Sequence, residues 1–339
     1  MQVNQDTGPL FLVGVWRSGT SLLQTLLNQH SQIGLMYEAE LPLLKPLFAG
    51  GTAKADWLER WDFWNNALTR HRIEARAVLP RSSHLRTAAE TVYRSYAVRN
   101  GAAIFGEKSP NYWDSLDWLS KTFPFARFII LWRNPLAICR SVKSAAKTEP
   151  YFAKRGMLLR ALLACEKLKQ QRDSLIARGI SVHELHYEEL VRDPAATLQD
   201  ICSFLDIPLE SRMITLEDAD RLSIYAGKHH SLVKGDHIVP SAKRPENLPK
   251  KFKEKADRYV ALWREQSFGT FPLYASADAE NARKPSLLER WSDRLLFWLL
   301  RRLDVTVVWI YCWAPLSLLK AWRARRRQGE LAVGAETGS

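Results

Sequence analysis

Cysteine is scarce: four residues in 339, Cys139, Cys165, Cys202 and Cys312, with no pairing or metal-ligand spacing. That excludes a disulfide scaffold and a thiolate metal site, and it fits small buried thiols in a reducing cytoplasm. The opening MQVNQDTGP has no apolar core, which argues against secretion through an amino-terminal leader. No internal repeat is present, so a solenoid is excluded. Near the carboxyl end, the uncharged run Val305–Leu319 has 15 residues and is broken by Pro315. A spanning helix needs about 20. Acidic residues are outnumbered, 36 against 49 basic, and the net charge of +13 favours anionic partners. Nearly half of that excess, +6, falls between Arg283 and the end of the chain, so it does not read as a nucleic-acid surface.

What is present is ordinary globular composition, 46% hydrophobic and 25% charged, in a chain long enough for a full core. Residues 10–15 read as a buried parallel strand and 20–30 as the helix after it. Residues 40–100 look helical, with Trp57, Trp61 and Trp64 at helical spacing. Three further strand–helix units follow: 102–106 with a helix near 111–123, 127–132 with 135–147, and 180–186 with a helix ending about Leu205. Their helices open at Ser109-Pro110, Asn134-Pro135 and Asp193-Pro194, a capping side chain before proline at the first helical position. Residues 155–178 form a long helix, and 252–267 another. The alternation predicts an α/β fold, a P-loop-like central parallel sheet flanked by helices. Ligands of such sheets lie beyond the carboxyl ends of the strands. The organisation reads as a nucleotide-binding domain over 1–273, a linker at 274–285, amphipathic helices over 286–327 and a disordered tail at 328–339.

The first strand runs into GVWRSGTS, a loop of the form G-x-x-x-x-G-T-S from Gly14 to Ser21. Successive backbone N–H groups at a helix amino terminus hold an anion, and Thr20 and Ser21 add hydroxyl donors. Thr20 stands where the lysine of an ATPase loop would reach the β- and γ-phosphates. A ligand without a γ-phosphate needs no such lysine, and the Arg17 guanidinium supplies a bidentate clamp instead. Alone, the loop is also compatible with a plain glycine turn. A second anion-type motif changes that weighing: RFIILWRNPLAICRS puts Arg133 at the carboxyl end of a predicted strand, before a helix whose dipole favours negative charge.

Together these motifs resemble those of the sulfotransferases that use 3′-phosphoadenosine-5′-phosphosulfate, in the branch of the tyrosylprotein sulfotransferases and their bacterial relatives. The resemblance covers roughly residues 8–270. It implies that Arg17, Ser18, Gly19, Thr20 and Ser21 grip the 5′-phosphosulfate, and that Arg133 and Ser141, eight positions on, hold the 3′-phosphate. It implies no metal, and adenosine 3′,5′-bisphosphate as product. Glu38, 21 positions after Arg17, matches the family's catalytic base, with Glu40 as a rival in LMYEAELP. Lys108 in GEKSPNYW matches a lysine that stabilises the leaving group. Tyr187, opening YEELVRDP, is given a structural or nucleotide-proximal role, and Ser231 and Lys234 belong to a basic loop over the 3′-phosphate and adenine. The loop histidines His229, His230 and His237 lack the companions of a metal site. The acceptor is a hydroxyl on a glycan, lipid-linked saccharide, small molecule or protein tyrosine. Rival readings are an ATP-dependent small-molecule kinase, which would want the missing lysine, and a non-catalytic membrane-associated nucleotide-binding protein.

The segment 286–327 opens with a capping box, Ser286 and Glu289. Leu288, Trp291, Leu295, Trp298 and Leu299 make an apolar stripe opposed by Arg290, Asp293, Arg294 and Arg301, and residues 320–327 add five basic side chains and no acid. A pair of helices lying on an anionic membrane surface is the expectation, with packing on the catalytic domain or a dimer interface as the alternatives.

Overall fold

A computed structural model describes residues 8–51, 53–73, 84–217, 238, 247–265, 282–322 and 324. Ser231, Lys234, the three loop histidines and the tail at 328–339 lie outside the described residues, as does most of the linker. Five parallel strands form one sheet in the order β2-β3-β1-β4-β5. They are β1 (Leu10–Val13), β2 (Ile33–Tyr37), β3 (Ile104–Lys108), β4 (Arg127–Trp132) and β5 (Val182–His186). Strand β2 was not foreseen. It is a five-residue apolar stretch, IGLMY, with no alternation to mark it, because both of its faces are buried.

Helices cover both faces of the sheet. After β1 comes α1 (Thr20–Leu27); after β2 come a 3₁₀ segment (Leu41–Gly51), α2 (Trp57–Asn65), α3 (Ala67–Arg70) and α4 (Leu85–Arg99). Next are α5 (Leu116–Thr122), α6 (Pro135–Ala145), α7 (Met157–Ala177), α8 (Tyr187–Arg192), α9 (Pro194–Leu205), α10 (Lys250–Glu265) and α11 (Leu287–Trp313). Strand side chains alternate between two cores. Phe11, Val13, Met36, Phe128 and Ile130 face one, while Leu10, Leu12, Leu35, Ile129 and Leu131 face the other with the buried side of α1. Phe11 anchors its side, with its ring at edge contact with Tyr93, Tyr112 and Phe123 and stacked on Phe128.

The register sets the site. Tyr37 pairs with Lys108, Leu12 with Lys108, Val13 with Ile130 and Trp132 with His186. The strands therefore end nearly level, and Glu38, Ser109, Gly14, Arg133 and Tyr187 follow along one edge. The neighbours of β1, β3 on one side and β4 on the other, are reached by connections running opposite ways, which opens a crevice above it.

The carboxyl-terminal segment is helical on both sides of Pro315, as the sequence suggests. A helix of 27 residues, α11, runs to Trp313, and after Pro315 residues 316–322 are helical again. Helix α11 lies on the domain through its polar side. Among the described residues no helix is long and apolar enough to cross a membrane.

Beneath the edge, Glu107 of β3 is fully buried. Its carboxylate accepts from the Glu40 backbone N–H at 2.5 Å, from the Tyr112 hydroxyl at 3.0 Å and from the Tyr93 hydroxyl. Burial outweighs these hydrogen bonds and raises its pKa from 4.5 to about 8. Between those values the folded chain holds a proton that the unfolded chain releases. The stabilising contribution is complete below 4.5 and is lost as pH rises through about 8. Urea unfolding is expected to show stability falling across that window, by up to about 1.4 kcal/mol per pH unit. Glu107→Gln should flatten the slope, and an unaltered pH dependence in that variant would exclude Glu107 as its source.

Candidate active site

The glycine loop after β1 takes a path that only small residues permit. A Cβ on Gly14 would come 2.4 Å from Ser18 Oγ and 2.7 Å from the Leu131 carbonyl. Gly19 has φ of +102°, and a Cβ there would lie 2.4 Å from the Tyr187 ring. Tyr187 thus floors the loop, and this explains why it follows β5 directly. Arg17 is also in the left-handed region, with φ of 67°. Its Nε donates to Ser141 Oγ at 3.1 Å, joining the loop to α6.

Arg133 reaches the same place from the end of β4. Its Nη1 donates to the Arg17 carbonyl at 2.7 Å, and its guanidinium stands 4.1 Å from the centre of the Tyr187 ring. Burial, and then the neighbouring Arg133 cation, push the Arg17 pKa down to about 10. Arg133 is lowered by burial too. Two guanidiniums held this close raise each other's electrostatic cost, and an anion between them would relieve it. Arg133 Nε and Ser18 Oγ are buried without a hydrogen-bond partner, so donor capacity remains for a ligand. The α6 amino terminus contributes less than its dipole suggested. The Asn134 side chain already accepts from the Leu136 and Ala137 N–H groups.

The second half of the site lies across the ends of β2 and β3. Lys108 is the last residue of β3 and is fully buried. Its ammonium donates to Glu38 Oε1 at 2.6 Å and to Ser21 Oγ at 3.2 Å, and sits 3.6 Å from the centre of the Tyr37 ring. Burial lowers the Lys108 pKa, and the Glu38 carboxylate works against that shift. Ser21 Oγ is also 3.1 Å from the Tyr37 hydroxyl. Base candidate, cation and glycine loop therefore meet within hydrogen-bond distance.

Glu40 has a different place. Its carboxylate is buried and accepts from Ser109 Oγ at 2.7 Å and Asn111 Nδ2 at 2.6 Å. Burial and then the Glu38 charge raise its pKa. Asn111 Oδ1 in turn accepts from Trp16 Nε1 of the glycine loop at 2.7 Å. Glu40 is thus a tie between β2, the 109–111 turn and the loop, while Glu38 touches the cation.

Glu38 and Glu40 have φ of 47° and 57°, conformations that cost roughly 1 kcal/mol or more each for a non-glycine residue. The surroundings enforce them. Arg70 Nη2 donates to the Glu38 carbonyl at 2.8 Å, Trp61 Nε1 to the Ala39 carbonyl at 2.6 Å, and Glu107 takes the Glu40 N–H. His71 Nε2–H donates to the Tyr37 carbonyl at 3.0 Å; burial and then Arg70 hold its pKa near 3, so it stays neutral. Tyr37, Arg70, Trp16 and Asn111 were missed as site residues. Tyr37 was legible in principle, as the last residue of an apolar run just before the two glutamates. The LTRHR stretch carries no such signal.

Among the described residues no group of three or more His, Cys, Asp or Glu side chains is arranged to hold a metal.

Residues 9–211 match the sulfotransferase family. Nodulation protein NoeE of Sinorhizobium fredii (strain NBRC 101917 / NGR234) is 34% identical over 146 residues, 42% of this chain and 33% of that protein. Protein-tyrosine sulfotransferase A of Caenorhabditis elegans is 24% identical over 251 residues, 72% of this chain and 60% of that protein. The sulfotransferase domain from the curacin biosynthetic pathway aligns with a TM-score of 0.48 and 19% identity, over 77% of this chain and 98% of that one. The chain spans between a third and three fifths of the length of the two curated relatives named here. With the family match covering 9–211 of 339 residues, and the loop, the strand-end arginine and the buried lysine converging on one edge, this chain belongs to the sulfotransferase family.

Proposed function

We propose that this chain moves a sulfuryl group from 3′-phosphoadenosine-5′-phosphosulfate to the hydroxyl of an acceptor. The observation that carries this reading is the buried Lys108 ammonium, which touches both Glu38 and Ser21 of the glycine loop. Transfer needs a base at the attacking oxygen and fixed positive charge at the leaving one. Lys108 bridges the two places.

Residues Arg17 to Ser21 would hold the phosphosulfate end of the donor. Arg133 and Ser141 would hold the 3′-phosphate. The fit rests on the unpartnered Arg133 Nε and Ser18 Oγ, on the charge cost of the paired guanidiniums, and on the cradle that a side chain at Gly19 would fill. The donor supplies an activated sulfuryl group and a phosphate leaving group. The chain's own residues do the rest. Glu38 accepts the proton of the acceptor hydroxyl. Lys108 keeps Glu38 oriented and holds positive charge beside the loop, where negative charge develops. Tyr37 caps the ammonium with its ring face, which limits exchange of that ion pair with water. Ser231 and Lys234 would add to the 3′-phosphate side. The four buried free thiols suit a reducing compartment such as the cytoplasm. The acceptor is a hydroxyl on a glycan, lipid-linked saccharide, small molecule or protein tyrosine.

Incubating the purified chain with labelled donor and separated protein, glycan and lipid fractions is expected to label one fraction without added Mg²⁺. Labelling from ATP that requires Mg²⁺, with none from the sulfuryl donor, would replace this reading with a kinase.

Glu38→Gln and Lys108→Met should each lower turnover by about 10²-fold or more. Both should leave binding of adenosine 3′,5′-bisphosphate within a few-fold of the wild type. Turnover within a few-fold of wild type in either variant would remove that residue from the reaction.

Calorimetric titration with adenosine 3′,5′-bisphosphate should give a graded loss. Arg133→Gln is expected to weaken binding at least about 30-fold, as for the loss of a buried charge partner. Ser141→Ala should cost only about 2- to 10-fold, as for one hydrogen bond. Equal, negligible effects would mean that the bisphosphate binds elsewhere.

A further inference from the structure

Helix α11 inverts the usual arrangement of an amphipathic helix on a protein. Its polar side faces the domain. Lys255 donates to both Asp293 oxygens at 2.6 and 2.7 Å, and Arg258 pairs with Glu289. Arg294 donates to Glu166 at 2.5 Å, and Arg301 grips Asp114 through two nitrogens. Arg160 pairs with Asp304, and the Tyr311 carbonyl accepts from Arg60 at 3.1 Å. Phe297 on the same side packs against Trp113. These polar contacts fix which way the helix is turned.

The outward side is mostly apolar along the helix, with Ser292, Arg302 and Thr306 its exposed polar residues. Leu288 is 75% exposed, Trp291 64%, Leu303 62% and Trp309 57%. The stripe continues past Pro315, where Leu318 and Trp322 are exposed in the next helical turns. At 27 residues, α11 is about 40 Å long. An apolar strip of that length on a soluble face marks a binding surface.

Charge decides what covers it. All three acids between Arg283 and Arg327 are Glu289, Asp293 and Asp304, and each is engaged by a cation of the domain. No acid is therefore left to the outward side among the described residues of this segment. Arg302 is exposed, with its guanidinium 5.0 Å from the centre of the Trp298 ring, and the sequence beyond Trp322 adds Arg323, Arg325, Arg326 and Arg327. Two copies packed through this stripe would bring like charges together. Anionic headgroups would neutralise them, and tryptophans favour the headgroup boundary.

We propose that the outward face of α11 and the turns after it rest on an anionic phospholipid surface, with the transfer domain held to that surface by the ion pairs on the opposite side of the helix. This does not depend on the donor or the acceptor.

The full chain is to be sedimented with vesicles of phosphatidylcholine alone and of phosphatidylcholine with a third phosphatidylglycerol. Binding should be at least about tenfold stronger to the anionic vesicles and should weaken with added salt. Trp298→Glu combined with Leu303→Glu should reduce it by at least about tenfold, because a carboxylate on the lipid side loses both contact and charge complementarity. That variant should keep the wild-type unfolding temperature and bisphosphate affinity, since neither side chain belongs to the docked side. Equal vesicle binding by variant and wild type would overturn the proposal. So would a wild-type dimer, seen by analytical ultracentrifugation, that ignores vesicles and becomes monomeric in the variant, for then a second copy covers the face.

Discussion

Lys108 carries its ammonium to a place with no solvent exposure, and a charge there is tolerated because Glu38, Ser21 and the face of Tyr37 surround it. Removing water strengthens the attraction between the ions but also raises the cost of leaving either one alone. The positions of Glu38 and the glycine loop are therefore coupled. The strained backbone at Glu38 and Glu40 belongs to the same constraint, since anchored polar groups, among them Arg70, Trp61 and Glu107, hold that segment against its preferred conformations. A flexible loop glutamate would not stand ready beside a fixed cation.

The half of the candidate site around Arg17 and Arg133 is built on a different balance. Arg17 and Arg133 are two positive groups brought together by the strand ends, with Tyr187 beneath them. Their mutual repulsion is a standing cost in the folded chain, which negative charge between them would offset. Tyr187 has two duties here. Its ring fills the space that a side chain at Gly19 would occupy, and its π-face meets the Arg133 guanidinium. Trp16, Asn111 and Glu40 then tie the loop to the β2–β3 end, so the two halves do not drift apart.

The same tying extends to α11. Arg160 stands 5.6 Å from the centre of the Trp16 ring and pairs with Asp304. Asp114, shortly after the 109–111 turn, pairs with Arg301. The helix is thus braced on elements that also shape the site. A helix carried by half-buried ion pairs is unusual, because such pairs offer less net stabilisation than apolar contact. Here they leave the apolar side free.

The sequence determined more of the site than of its surroundings. The glycine loop, Arg133 with Ser141, and Lys108 were legible as candidates because particular residue types stand at short, fixed spacings after the strands, and the structure brings them to one edge of the sheet. Strand β2 was not, since a strand buried on both faces has no alternation to distinguish it from a short apolar helix segment. The helix boundaries shifted too: Lys108 proved to end β3 rather than follow it, and a single 3₁₀ turn, Pro110–Tyr112, precedes α5. Amphipathicity marked α11 without showing which side would dock, because periodicity separates two faces and carries no direction. Tertiary structure decided three things: that Glu38 meets the cation while Glu40 is buried in a tie, that Arg133 reaches the Arg17 backbone, and that the tryptophans of α11 face outward. Each depends on parallel strands ending level and on partners far apart in the chain, and residue spacing alone does not encode such distances.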